Sequence, residues 1–221
     1  MAVMEAAKAA GVRRVSITSS MAAICSMDAA DKPECFDESH WSDVEWPGMS
    51  AYEKSKTLAE RAAWDFVAAQ PENERIGLTV INPTFIVGPT LIPGDFSSGK
   101  ILSMFMNNNM PGGCPRIKMG TVDVRDVAKA HVNAIKSDEA QGKRFILAGK
   151  TYWFAEIGQM LHDEFGTQGY TIPHHEARYC LVRFFGYFRA DAAKIADMWG
   201  VENVHTNERS RQILDIEYIS A

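Results

Sequence analysis

Strand and helix patterns alternate through the first 150 residues of this 221-residue chain, and helical patterns dominate thereafter. That order constrains the fold more than any single motif. Arg14 to Thr18 alternates as a short strand should, and Ser19-Ser20 ends it. Ser50 is placed to cap a helix running to about Ala69, with Glu53 completing a capping box. Ile76 to Ile81 is an apolar, β-branched strand closed by Asn82-Pro83. The pattern continues with a helix from Lys100 to Asn107, a strand from Met119 to Val124, a helix from Asp126 to Lys136 and a strand from Lys143 to Leu147. Helices are expected over Phe154–Phe165, Tyr179–Phe188 and Ala190–Trp199. Strands alternating with helices predict an α/β fold with a parallel sheet and flanking helices. The helical tail predicts a small C-terminal lobe covering substrate.

Three stretches between these elements carry expectations of their own. Met27 to Met49 is polar and acidic, with Pro33, Pro47 and Gly48, and reads as a long surface excursion of the functional kind. Asp123, Arg125 and Asp126 read as a loop and helix start, with Asp126 near the cap. The aromatic group Tyr179, Phe184, Phe185, Tyr187 and Phe188 reads as core of the C-terminal lobe, one or two of them lining a substrate pocket.

Composition narrows the function classes. A net charge of -5 and the lack of any basic stripe argue against nucleic acid as a partner. No apolar run reaches membrane-spanning length, and no secretory signal opens the chain, so a cytoplasmic protein is expected. Cys25, Cys35, Cys114 and Cys180 stand apart without a CxxC pair, which fits reduced, mostly buried thiols. The six histidines form no HExxH or HxxxH array, so no metal is expected.

The chemistry converges on Ser20, Tyr52 and Lys56. Tyr52 and Lys56 lie four apart on one helix and share a face. A free tyrosine titrates near 10, and a neighbouring ammonium favours the phenolate. Such a pair exchanges a proton with a carbonyl or alcohol oxygen as hydride moves, and a strand-end hydroxyl polarises the same oxygen. YxxxK alone is a weak signal. With six tyrosines, chance supplies a lysine at that spacing in roughly a third of such chains. Ser20 read alone is equally a hydroxyl satisfying local backbone.

The blocks VRRVSITSS, DESHWSD, SAYEKSKTLAE, VINPTFIVGP and VDVRDVAKAH, in that order, resemble the extended short-chain dehydrogenase/reductase family (the NAD-dependent epimerase/dehydratase superfamily). Within it, DESHWSD and NPTFIVGP resemble the dihydroflavonol reductase and cinnamoyl-CoA reductase-like group. The resemblance covers nearly the whole chain and weakens after about Lys150. It implies part of a Rossmann-type NAD(P)-binding domain over residues 1–150, with some of 90–120 joining the substrate lobe, and a mainly helical substrate-binding lobe over 151–221. By the same resemblance Ser20, Tyr52 and Lys56 are catalytic, and Tyr52, Lys56, Pro83, Ile86 and Ser98 contact the cofactor. The cofactor is NADP or NAD, with NADPH favoured. The implied activity is reduction of a ketone or aldehyde, and the partner is a small carbonyl or alcohol substrate. Sugar-nucleotide epimerases or dehydratases and hydroxysteroid-type dehydrogenases share the Tyr-Lys pair and stay open as alternatives.

One departure from that family stands out. None of the sixteen glycines falls in GxGxxG or GxxGxxG spacing, the turn that receives a dinucleotide pyrophosphate. Met1 falls inside a helix with no cap ahead of it, so the first strands of the sheet are expected to be absent and the chain to be a fragment. Arg14 to Thr18 is then expected to present an unpaired edge. Activity is expected to be negligible unless another polypeptide supplies the N-terminal half, and a non-catalytic chain that binds no cofactor is the competing expectation.

Overall fold

The structure is a computed structural model that describes residues 1–91, 97–110, 112–188 and 190–219. In chain order its elements are α1 (Ala2–Ala9), β1 (Arg14–Thr18), α2 (Ala51–Ala68), β2 (Gly77–Pro83), β3 (Phe85–Val87), α3 (Ser97–Met106), β4 (Lys118–Asp123) and α4 (Val124–Lys136). They continue with β5 (Lys143–Leu147), β6 (Thr151–Trp153), α5 (Phe154–Phe165), α6 (Tyr179–Gly186), α7 (Ala190–Asp197) and α8 (Glu208–Leu214). The chain divides into two compact units. The first comprises Met1–Gly88, Val122–Gly149 and Asn203–Ala221, and the second comprises Pro89–Thr121 and Lys150–Glu202.

A parallel sheet in the order β1-β2-β5 forms the centre of the first unit, with Ser16 opposite Thr79 and Ile81 opposite Phe145. Successive side chains of a strand point to opposite faces, so an apolar run serves two cores at once. Leu78 and Val80 of β2 pack with Met4 of α1 and Ala63 of α2. On the opposite face Ile81, Phe145 and Leu147 pack with Val127, Ala130 and Ala134 of α4. Ile146 faces Met21, Ile24 and Phe36. The strand β1 pairs with β2 alone among the described residues, and the expected edge is present. Val15 and Ile17 lean on the α1/α2 core, while Ser16 and Thr18 face α4, where their hydroxyls meet His131 Nδ1 and Nε2 at 2.7 and 2.9 Å.

One sequence expectation is corrected in this unit, and two are given detail. Residues 203–219, expected in the C-terminal lobe, pack here instead. Leu214 and Ile216 are buried with Phe145 and Leu147, and Phe36 bridges His205. A seven-residue helix is too short to give a clear periodic signal, and only the tertiary fold shows where it docks. The excursion 27–49 is anchored inward by buried Phe36, Glu38 and Ser42. The cap of α4 is Asp123, whose carboxylate accepts from the Arg125 N–H. Asp126 sits within the first turn, buried, and accepts from the Ile219 N–H at 2.9 Å.

In the second unit, Lys118–Gly120 of β4 pair antiparallel with Thr151–Trp153 of β6. The core holds Phe105, Cys114, Ile117, Tyr152, Phe154, Ile157 and Ile172. Gly158 allows close approach, since a Cβ there would lie 2.2 Å from the Pro173 carbonyl oxygen. The aromatic group expected in this core is not in it. Tyr179, Phe184, Phe185, Tyr187 and Phe188 are all exposed, Tyr187 by 76%. Crowded in and just after the short α6, they cannot all face one small core.

Candidate active site

The helix α2 positions the central pair. Ser50 Oγ accepts from the Glu53 N–H and the Glu53 carboxylate accepts from the Ser50 N–H, so the expected capping box is formed and the first turn is fixed. Glu53, Thr57 and Glu60 form the inward face of the helix at i, i+4 and i+7. Tyr52 and Lys56 stand on the flank. Tyr52 is 56% exposed and Lys56 half-buried, with Nζ 6.0 Å from the centroid of the phenol ring. The phenol is thus open to a reactant, with an ammonium beside it.

Ser20 lies just beyond β1 in extended conformation. Its Oγ accepts from the Ala22 N–H at 3.1 Å and caps a 3-10 turn, Met21–Ala23. The hydroxyl therefore does satisfy local backbone, and because it accepts there, its own proton is left to donate. The turn docks on α2: the Thr57 hydroxyl donates to the Ala22 carbonyl at 3.5 Å, and the Ser26 hydroxyl donates to Glu53 at 2.7 Å. Ser42 adds a hydrogen bond to the same Ala22 carbonyl at 2.8 Å. Burial raises the nearby Cys25 thiol to about 11, with Glu53 adding to the effect, so that thiol stays protonated at neutral pH.

Pro83 is buried at the end of β2, and Thr84 follows with N–H and hydroxyl both donating to the Leu147 carbonyl, at 2.9 and 3.1 Å. Ile86 is half-buried against the α4 core. Ser98 belongs to α3 of the second unit, half-buried. Ser20, Tyr52, Lys56, Pro83 and Ile86 all belong to the first unit, and the structure carries the turn bearing Ser20 onto the helix bearing Tyr52 and Lys56.

Sequence reasoning passed over a buried polar group beneath these residues. Glu60 is fully buried and accepts from the Ser19 hydroxyl, from Asn82 Nδ2 at 2.8 Å and from Arg144 Nε at 2.5 Å. Arg144 stacks on Trp41, 3.9 Å from the ring centroid, and donates to the Glu38 and His40 carbonyls. Burial pushes the Arg144 guanidinium below its usual value, and the Glu60 carboxylate opposes that shift. The available signal was spacing: Glu60 lies four residues beyond Lys56 on a helix turn that the pattern sends inward. Among the described residues no group of three or more His, Cys, Asp or Glu could hold a metal ion.

Residues 1–166 match the 3-beta hydroxysteroid dehydrogenase/isomerase family. The chain belongs to that family. Among its relatives, the NADPH-dependent methylglyoxal reductase of Saccharomyces cerevisiae is 31% identical over 173 residues, 73% of this chain and 51% of the yeast protein. Cinnamoyl-CoA reductase CAD2 of Medicago truncatula is 34% identical over 161 residues, 71% of this chain and 47% of the plant protein. The crystal structure of yeast methylglyoxal/isovaleraldehyde reductase complexed with NADPH superposes with a TM-score of 0.74 at 26% identity. That match covers 99% of this chain and 64% of the yeast chain. The chain thus spans about half the length of these two curated relatives. The family's Rossmann-like α/β fold is the one described above, as the resemblance read from the sequence blocks implied.

Proposed function

We propose that this chain carries the proton-transfer half of an NADPH-dependent reductase acting on small aldehydes or ketones. The observation that carries the reading is the pair on α2, an open phenol at Tyr52 with the Lys56 ammonium 6.0 Å from its ring, on the helix that receives the Ser20 turn. The names of the yeast and plant relatives support a carbonyl substrate and, in yeast, NADPH. Four free thiols support a reducing, cytoplasmic compartment.

The residues present suit the nicotinamide end of the cofactor. Lys56 and Tyr52 offer donors to ribose hydroxyls, and Pro83 and Ile86 give an apolar wall for the carboxamide side. When bound, NADPH supplies a hydride to the carbonyl carbon. Ser20 donates a hydrogen bond to the carbonyl oxygen and builds positive character on the carbon. Tyr52 gives its phenolic proton to that oxygen, completing the alcohol, and Lys56 stabilises the phenolate left behind. The pyrophosphate end finds no glycine-rich turn among the sixteen glycines, so a further polypeptide segment is proposed to supply it, with the free edge of β1 as the place for an added strand.

The same missing turn favours a second reading, a chain that keeps the motif but binds no cofactor. Fluorescence titration of the purified chain with NADPH, alongside Lys56→Ala, separates the two. Saturable binding that is lost in Lys56→Ala, with methylglyoxal reduction falling about 10²–10⁴-fold in Tyr52→Phe, is the expected result. No binding by the folded chain would establish the second reading instead.

A further inference from the structure

We propose that Glu60 is the positioning residue of this site, a buried carboxylate that sets the Ser20 turn against the helix bearing Tyr52 and Lys56. The inference rests on the reading of Ser20, Tyr52 and Lys56 as the reactive group. Glu60 shares α2 with the Tyr-Lys pair, at successive intervals of four residues. Its Oε2 accepts from Ser19, the residue before Ser20, and from Asn82, the residue before Pro83. Asn82 Nδ2 donates also to the Ser20 carbonyl at 3.2 Å. One carboxylate therefore ties together three chain segments that carry the candidate residues: α2, the end of β1 and the end of β2.

The chemistry of the group explains why a carboxylate is needed. A buried charge is costly unless paired and hydrogen-bonded. Here the pairing is with Arg144, and donors from Ser19, Asn82 and Trp64 fill the remaining lone pairs. An ionised carboxylate is acceptor-only, and four donors converge on it. Glutamine at this place would bring an NH₂ group against at least one of them, turning the Asn82 amide or displacing Arg144. Turning that amide releases the Ser20 carbonyl and shifts the hydroxyl that caps the turn, and displacing Arg144 loosens the carboxylate that holds the amide. Apolar packing alone would have buried α2 at lower cost, so the ionic hub is best understood as fixing orientation.

The test uses the full chain with Glu60→Gln, Glu60→Asp and Asn82→Ala. Hydrogen exchange is read at the Ala22 and Ala23 amides, which bond to Ser20 Oγ and to the Ser20 carbonyl. Methylglyoxal reduction with NADPH is read as kcat and KM separately. Glu60→Gln is expected to speed exchange at both amides by about tenfold or more and to lower kcat by a similar factor at nearly constant KM. Glu60→Asp is expected to recover part of both. Should Glu60→Gln fail to fold, Asn82→Ala keeps the Glu60–Arg144 pair and removes the Asn82 bridge between Glu60 and the Ser20 carbonyl, with the same local exchange expected. Unchanged exchange in a folded Glu60→Gln or Asn82→Ala chain overturns the proposal. A wild-type chain that reduces no carbonyl overturns the reductase reading alone, and the exchange result still decides the role of Glu60.

Discussion

The four cysteines show how one residue type divides by environment. Cys25 and Cys114 are held near 11 by burial, whereas Cys35 and Cys180 are exposed. Composition predicts mostly buried thiols, and two of the four lie at the surface. Cysteine accessibility depends on which neighbours fold over it, which composition does not record. Native chain treated with iodoacetamide near pH 8 should be labelled at Cys35 and Cys180, and at all four sites only after unfolding, as read by peptide mass spectrometry. Fast native labelling of Cys25 would contradict the burial described around the Ser20 turn. The hydroxyl of Ser20, by contrast, accepts from the Ala22 N–H, and that bond leaves its own proton available, as the proposed role requires.

Among the elements, β1 and α4 are joined by a titratable contact. His131 meets Ser16 and Thr18 through its two ring nitrogens, and burial lowers its proton affinity below that of a free histidine. Arg14, on the same face of β1, donates to the Ile135 carbonyl and pairs with Asp138 just beyond α4. A histidine with a depressed folded value holds its proton less readily in the folded chain than in the unfolded one. The unfolded chain takes up its proton first as pH falls through about 6.5. Stability from this group is therefore full above that pH and is lost below it. Thermal melting from pH 7.5 to 5.5 should show a falling Tm, and the fall should be shallower in His131→Gln; an equal slope would place the effect elsewhere, His205 being the next such group. These polar contacts hold one face of the edge strand β1 to α4.

For the whole molecule, the last elements decide where the first unit closes. Leu214 of α8 is fully buried against a core that includes Ile81, Phe145 and Leu147. Asn133 Nδ2 donates to the Leu214 carbonyl at 2.7 Å, and Lys129 Nζ donates to the Asp215 carbonyl at 2.6 Å. Leu214→Ala should destabilise the chain by about 2–5 kcal/mol, measured by urea unfolding. A loss below about 0.5 kcal/mol, the scale of a surface substitution, would mean that the C-terminal segment does not seal the sheet. The same docking explains why the 27–49 excursion is ordered from within, since Phe36 pairs with His205 and Glu38 lies 3.6 Å from Arg209.

Local chemistry makes much of this protein legible in the order of its residues. The limits of β1 and β5, the capping box of α2, the span of α5 and the Tyr52-Lys56 spacing all follow from side-chain periodicity and short-range hydrogen bonding. Those effects act within one turn or one strand, so residue order suffices to read them. The hub at Glu60, the return of 203–219 to the sheet and the exposure of the Tyr179–Phe188 aromatics depend on which distant segments meet. Glu60 becomes a junction only because Ser19, Asn82 and Arg144 arrive from 41, 22 and 84 residues away. A buried charge is stable only with such partners in place, and that is a property of the packed chain.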